Sequence, residues 1–285
     1  MLTVLESINL STEYLEKKGI ESARTNAELL LASILKCKRL DLYMSFNRPL
    51  SESEKIKYRE FIARRGTFEP LQYIVGDVEF YGLTIKVDNS VLIPRQETEI
   101  LIEEIINSVN QDDELKILDI GSGSGNIALA LAKNLPNAEV IGIDISEEAV
   151  ELAKSNAEFT DLSSQVKFFK LDIFNYDISS AKEKFDIIVS NPPYVSDEEY
   201  KTLQKEIIEY EPLIALTDNS DGFKFYEYIT SISKALLKES GSLFYEIGKG
   251  QAEKVKSIME QNGFTDIKVK SDYAEIERVV YGVIS

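Results

Sequence analysis

The run Lys116–Leu135, KILDIGSGSGNIALALAKNL, sets a short apolar segment directly before a glycine-rich turn and a stretch of helical character. A brief apolar run closed by glycines reads as a buried strand, and the longer run behind it as a helix packed on that strand. Moving outward, the same unit recurs. EVIGID, VKFFKLD, FDIIVS and SLFYEI are short apolar strands, and SEEAVELAKSNAEF, GFKFYEYITSISKALLKES and QAEKVKSIMEQN are helical segments that separate most of them. Alternation of this kind predicts an α/β fold, a mostly parallel sheet with helices on both faces. The tail DIKVKSDYAEIERVVYGVI holds two strand-like runs with no helix between them, which predicts a terminal antiparallel hairpin.

Ahead of this region the texture differs. Residues 1–68 read as a helical bundle: NAELLLASIL is apolar on more than one face, and SESEKIKYREFIARR opens with Ser51 and carries Glu54 three residues later, a capping box. Residues 69–92 include QYIVGDVEFYGLTIKVDNSV, β-branched and aromatic residues punctuated by glycine, and read as a β-hairpin linker. The remaining domain, 93–285, begins with LIPRQETEILIEEIINSV, a further helix. A length of 285 residues suits this two-domain division.

Composition removes several function classes. The chain has no histidine, so Ser-His-Asp and Cys-His nucleophilic catalysis are unavailable. With one cysteine besides, no metal site is expected. Cys37, in LLLASILKCK, has no partner for an internal disulfide and reads as a small core or flank residue of a cytoplasmic protein. A formal charge of −17 argues against nucleic acid as a partner, since phosphate binding rests on Lys and Arg. No apolar run reaches the roughly 20 residues of a membrane span. The opening MLTVLESINLSTEYLEKKG carries acids early and does not resemble a signal peptide. A monomer is expected.

In an open α/β sheet, ligands sit beyond the carboxyl ends of the strands, where the strand order reverses. The loop Gly121-Ser122-Gly123-Ser124-Gly125 follows the first strand of the alternating region. Glycines there let the backbone approach a ligand closely. The spacing is GxGxG; the third glycine of a dinucleotide GxGxxG would fall on Asn126. Asp144 ends the next strand, roughly 20 residues on, where an acid accepts from both ribose hydroxyls. Asp172 ends the third strand, placed to accept from an adenine amino group or equally to cap a turn. Asp119, inside the first strand, faces a cofactor ammonium or orients the glycine loop. These residues point to an adenosine-bearing ligand and leave a nicotinamide cofactor and S-adenosylmethionine both open.

The fourth strand runs into Asn191-Pro192-Pro193-Tyr194. Proline cannot continue a sheet ladder, and the residue before a proline is held in an extended conformation. The strand therefore ends in a stiff ledge that offers the Asn191 carboxamide, the Pro192 carbonyl and the Tyr194 ring. Two acceptors and a flat aromatic face suit a planar NH2 group. An amide or aryl NH2 is a poor nucleophile, and fixing it in line with a methyl sulfonium supplies orientation without a strong base.

With these motifs, LDIGSGSGNIALALA, IGIDIS and IVSNPPY, the sequence resembles the HemK/PrmC-type N5-glutamine methyltransferases of peptide chain release factors. RRGTFEPLQYIVGDVEFYG and LIPRQETE look like that family's interdomain segment and cofactor-pocket entrance. YEPLIALTDNSDGFKFY looks like the segment after its NPPY, and ARTNAELLLASIL like its helical domain. The resemblance implies a Rossmann-like class I S-adenosylmethionine-dependent methyltransferase sheet. It implies methylation of the glutamine in a Gly-Gly-Gln loop, with release factors as the partner and the helical domain helping to engage them. Matched residue by residue, Gly121 to Gly125 line the methionine and ribose, Asp144 takes the ribose hydroxyls, and Asp172 and Ile173 flank the adenine. Asn191, Pro192, Pro193 and Tyr194 hold the glutamine, Asn191 also bordering the cofactor. Arg95, Thr98 and Glu99 match the entrance motif, where tying a helix to the sheet is as good a reading as any other.

This chain departs from the family pattern at Gln96, often a second proline, Phe68, commonly histidine, Glu275, usually glycine, and Ile173, where some members have an aromatic. None touches NPPY or the glycine loop. The same NPPY chemistry serves glutamine methylation of a ribosomal protein and adenine-N6 methylation of nucleic acid. The latter needs a basic groove that this composition argues against. A non-catalytic adenosylmethionine-binding module and a nicotinamide oxidoreductase are the remaining alternatives.

Overall fold

A computed structural model of the chain describes residues 2–178 and 183–284. The chain divides into two compact units, Met1–Asp77 with Gln204–Tyr210, and Val78–Leu203 with Glu211–Ser285. The first unit contains α1 (Val4–Lys17), α2 (Ala23–Leu35), α3 (Arg39–Met44), α4 (Glu52–Arg65) and α5 (Leu71–Val75). Thr3 and Ser51 each close a capping box, with Glu6 and Glu54, at the starts of α1 and α4. The core comes from Val4, Ile8, Leu15, Leu30, Leu31, Tyr58 and their neighbours. The stretch QYIV, expected as strand, is the helix α5. Pro70 starts that single turn, and Tyr73 and Ile74 are buried with the bundle, so packing overrides the β-branched composition.

The hairpin is β1 (Asp77–Phe80) and β2 (Leu83–Lys86), shorter than the expected linker. From Val78 on it belongs to the second unit and is held by hydrogen bonds inside it. The backbone N–H of Lys86 donates to Asn156, whose amide returns bonds to the carbonyls of Lys86 and Ser124. The backbone N–H of Tyr81 donates to Glu99 at 2.7 Å. Within the second unit follow α6 (Glu97–Ser108), β3 (Lys116–Ile120), α7 (Asn126–Asn134), β4 (Glu139–Asp144), α8 (Glu147–Phe159), β5 (Val166–Lys170) and β6 (Phe185–Ser190). Two short helices, α9 (Asp197–Tyr200) and α10 (Lys205–Tyr210), come next, the latter part of the first unit. The chain then forms α11 (Leu213–Leu216), α12 (Lys224–Leu236), β7 (Leu237–Glu246), α13 (Ala252–Gln261), β8 (Phe264–Ser271) and β9 (Glu277–Ile284).

The sheet order is β5-β4-β3-β6-β7-β9-β8, with β3 to β7 parallel and the β8–β9 hairpin antiparallel at one edge. The expected α/β class and terminal hairpin are both present. The helix written as GFKFYEYITSISKALLKES stops at Leu236, and β7 starts at once. A register shift opposite Phe185–Ile187 absorbs the extra residues between Leu237 and Ser242. From β3 the chain steps outward through β4 and β5, then returns to place β6 on the other side of β3. The order therefore reverses between β3 and β6, where this fold class binds its ligands.

Candidate active site

Two loops leave the sheet side by side at that reversal. Ile120 of β3 pairs with Ser190 of β6, and the Ser190 hydroxyl donates to the Ile120 carbonyl at 2.7 Å. One residue further, β3 becomes Gly121 and β6 becomes Asn191. Both line a cavity of about 250 Å³, along with Pro192, Pro193, Asp144, Asp172 and Ile173.

Gly121 and Gly123 have positive φ, +78° and +51°, and a Cβ on either would meet no atom within 4 Å. The loop thus leaves a cradle that side chains would fill. Gly125 works differently. It is not in the cavity wall, and a Cβ there would stand 2.7 Å from the Phe168 ring, so it serves close packing of helix on sheet. Ser122 and Ser124 are buried and border the cavity, the Ser122 hydroxyl without a hydrogen-bond partner. Asp144 accepts from the backbone N–H groups of Gly123 and Ser146, each at 2.9 Å, which sets the curvature of the loop. Burial raises the pKa of its carboxyl, and those N–H groups oppose the rise.

Asp119 is fully buried on β3, behind the cavity wall, and neither carboxylate oxygen makes a hydrogen bond. Burial pushes its pKa up to about 7; the nearby backbone N–H of Ala128, which does not reach hydrogen-bond geometry, opposes the rise and the charge of Asp144 adds to it. An unpaired acid in such a place is costly unless a cation comes to it. Asp172 caps the 3₁₀ turn Ile173–Asn175, accepting from the Phe174 backbone N–H at 3.0 Å and the Asn175 amide at 2.6 Å. It does so while bordering the cavity, so the capping role weighed for it in the sequence is present. The open glycine cradle, the orphaned Asp119 and the acids at successive strand ends fit S-adenosylmethionine, whose ammonium, ribose and adenine need such partners.

The ledge is braced from behind. Asn191 donates through Nδ2 to Thr98 Oγ1 at 3.3 Å, and Thr98 donates to Glu246 Oε2 at 2.5 Å. The Tyr194 hydroxyl donates to the other Glu246 oxygen at 3.3 Å. Tyr194 is absent from the cavity wall, and its ring packs against the sheet core. The sequence reading placed that ring over a substrate amide; its hydroxyl instead finds the buried carboxylate inside, which draws the side chain inward. The Tyr194 carbonyl accepts from Gln251 Nε2 at 3.0 Å.

The entrance residues also acquire partners. Arg95 pairs with the buried Glu211, Thr98 joins α6 to the sheet, and Glu99 holds the hairpin turn. Glu246, Gln251 and Glu211 were missed from the sequence. The one available signal was an acid closing the apolar strand SLFYE. Among the described residues, no cluster of three or more Cys, Asp or Glu is placed to hold a metal, and no helix is long and apolar enough to cross a membrane.

Comparison with known proteins agrees with this geometry. A family described as the PrmC N-terminal domain matches residues 6–76, and a methyltransferase domain family matches residues 111–278. The release factor glutamine methyltransferase of Geobacter sulfurreducens is 42% identical over 282 residues, covering 99% of this chain and 97% of that protein. The protein of the same name from Fusobacterium nucleatum is 41% identical, covering 97% of this chain and 77% of the other. Among solved structures, a methyltransferase from Pyrococcus furiosus shares the fold, with a TM-score of 0.51 at 18% identity, covering 81% of this chain and 96% of that one. This chain belongs to the release factor glutamine methyltransferase family.

Proposed function

We propose that the protein methylates the side-chain amide nitrogen of the glutamine in the Gly-Gly-Gln loop of peptide chain release factors. The observation that carries this reading is the pairing of Ile120 with Ser190, which sets the glycine loop and the Asn191–Pro193 ledge into one cavity. S-adenosylmethionine, when bound, supplies a methyl group made electrophilic by its sulfonium. Gly121, Ser122 and Gly123 would cradle its methionine and ribose portions, and Asp119 would answer its ammonium. The lone pairs of Asp144 not used by the loop would accept from the ribose hydroxyls, while Asp172 and Ile173 would flank the adenine. Asn191 Oδ1 and the Pro192 carbonyl would each accept one hydrogen of the glutamine NH2, fixing the nitrogen's direction of approach. Tyr194 acts from behind, holding the ledge to Glu246.

Release factors work in the cytoplasm, and the reading places this protein there, as a monomer. The test uses isotopically labelled S-adenosylmethionine with separate release factor, ribosomal proteins, duplex DNA and RNA. One methyl group on the Gly-Gly-Gln glutamine, mapped by mass spectrometry, is the expected result. Label in DNA or in a ribosomal protein, with none in the factor, would overturn it.

A further inference from the structure

To receive an NH2 group, Asn191 has to present its oxygen, because an amide nitrogen offers hydrogens and cannot accept. The two ends of a carboxamide are nearly alike in shape, so a neighbour has to choose between them. We infer that Glu246, acting through Thr98, is the positioning residue that fixes the hydrogen-bond polarity of Asn191. This rests on the glutamine reading above and adds to it the group that makes the catalytic amide an acceptor.

An ionised carboxylate only accepts, and a threonine hydroxyl has a single hydrogen to give. Thr98 stands 2.5 Å from Glu246 Oε2, so its hydrogen is committed there. The Thr98 oxygen can then only accept, and it lies 3.3 Å from the Asn191 side chain. Asn191 must turn its NH2 toward Thr98, which leaves Oδ1 for the cavity. Thr98 and Glu246 are 1% and 2% exposed, so bulk water has little access to substitute for either. The second carboxylate oxygen takes the Tyr194 hydroxyl, so one buried acid holds the first and last residues of the NPPY ledge.

The polarity depends on charge. A protonated Glu246 gains a hydrogen of its own, and Thr98 is then free to donate toward Asn191 and turn the amide over. The groups that face Glu246 are Thr98 and Glu97 from α6, Tyr194 from the ledge, Tyr226 from α12 and Arg278 from β9. Burial dominates and pushes the acid up to about 7; Thr98, Tyr194 and Arg278 pull against that, and Glu97 adds to it. Glu246 is ionised above that value, where the wiring has one direction, and neutral below it, where the direction is lost.

The experiment has two arms. In the first, kcat for methyl transfer to release factor is followed from pH 6 to 8.5 in wild type, Glu246→Gln, Thr98→Val and Thr98→Ser. Wild-type kcat should rise through neutrality. Glu246→Gln should flatten that rise. Thr98→Val should lower kcat by about 10- to 100-fold, the range expected for losing one charge-assisted bond, with cofactor affinity changed less than threefold. Thr98→Ser should recover most of the loss. The second arm needs no turnover: in ¹⁵N-labelled protein the Asn191 side-chain NH2 resonance should shift through neutral pH in wild type and stay fixed in Glu246→Gln. An NH2 signal that ignores pH in wild type would overturn the inference. So would equal impairment of Thr98→Val and Thr98→Ser with cofactor affinity falling in step. If the second arm succeeds while release factor takes no methyl group, the substrate assignment fails and the wiring stands.

Discussion

Gly222 lies against the carbonyl of Tyr194: a Cβ at position 222 would stand 2.4 Å from that oxygen. The φ of Gly222 is +85°, a region that side chains enter only with strain. Its backbone N–H donates to the buried Asp218, whose other oxygen accepts from the backbone of Lys224 at the start of α12. The glycine is thus held on one side and pressed to the ledge on the other.

Gly222→Ala should therefore reach the chemistry from outside the cavity. Because the Tyr194 carbonyl is already fixed by Gln251, the ledge has to move or the strain has to stay. We expect a stability loss of about 1–3 kcal/mol in urea unfolding. A larger proportional fall in kcat than in cofactor affinity should accompany it. A variant with wild-type kcat would show that the ledge tolerates displacement.

Much of this arrangement was legible as pattern. The strands β3 to β6 are short runs visible in the chain, β3 stopped by glycine and β6 by Asn191-Pro192, and Gly121, Asp144, Asp172 and Asn191, at or just beyond the four strand ends, all reach the cavity wall. Such signals are local, since a strand end and its breaker are neighbours in the chain. What sequence did not reveal depends on distant pairing. Glu246 matters because it meets Thr98, 148 residues away, and α10 joins the first unit because Glu206 meets Arg65. Tyr194 turned inward for the same reason: the acid that draws it lies 52 residues further on. Strand QYIV failed where tertiary burial of Tyr73 and Ile74 outweighed propensity.

Asp119 should make the free protein less stable as pH rises. Its folded pKa is about 7 against an ordinary 3.8, so the folded state holds a proton that the unfolded state has released across that interval. The associated stability is complete below the ordinary value and is lost as pH climbs through about 7. Asp119→Asn should remove this dependence and raise the melting temperature of the cofactor-free protein at pH 8. If the acid answers a cofactor ammonium, the same substitution should weaken S-adenosylmethionine by tenfold or more in calorimetry. Opposite signs in the two measurements separate a ligand-directed acid from a structural one, and a destabilised Asp119→Asn would contradict the account.

Arg65 offers a test confined to the first unit. Its guanidinium is buried and reaches Asn26 Oδ1 at 2.8 Å, the Glu69 carbonyl at 3.0 Å and Glu206 of α10 at 2.7 Å. Lysine cannot reproduce that planar fork. Arg65→Lys is expected to cost about 2–3 kcal/mol, since a buried charge network loses several donors at once. Glu206→Gln should cost less, because that carboxylate is partly exposed. Limited proteolysis should find faster cleavage within residues 204–210 in both variants, and unchanged cleavage would mean that α10 is held by its other contacts.

Asn191 is the residue on which two readings converge, as a neighbour of the cofactor and as an acceptor for the substrate amide. The two roles make different kinetic demands. An acceptor used on the reacting nitrogen should act on kcat, because orienting an amide that is otherwise a poor nucleophile matters most as the methyl moves. A cofactor contact should act on binding before any chemistry. Removing the carboxamide in Asn191→Ala leaves the Thr98 hydroxyl still satisfied by Glu246, so the surrounding network has no reason to collapse. We expect kcat for the Gly-Gly-Gln glutamine to fall by at least about 100-fold, in line with losing an oriented polar contact in the transition state. Cofactor affinity, measured by calorimetry on the substrate-free protein, should stay within about threefold, below 1 kcal/mol. Equal losses in the two quantities would assign Asn191 to the cofactor and leave the Pro192 carbonyl as the principal acceptor for the substrate.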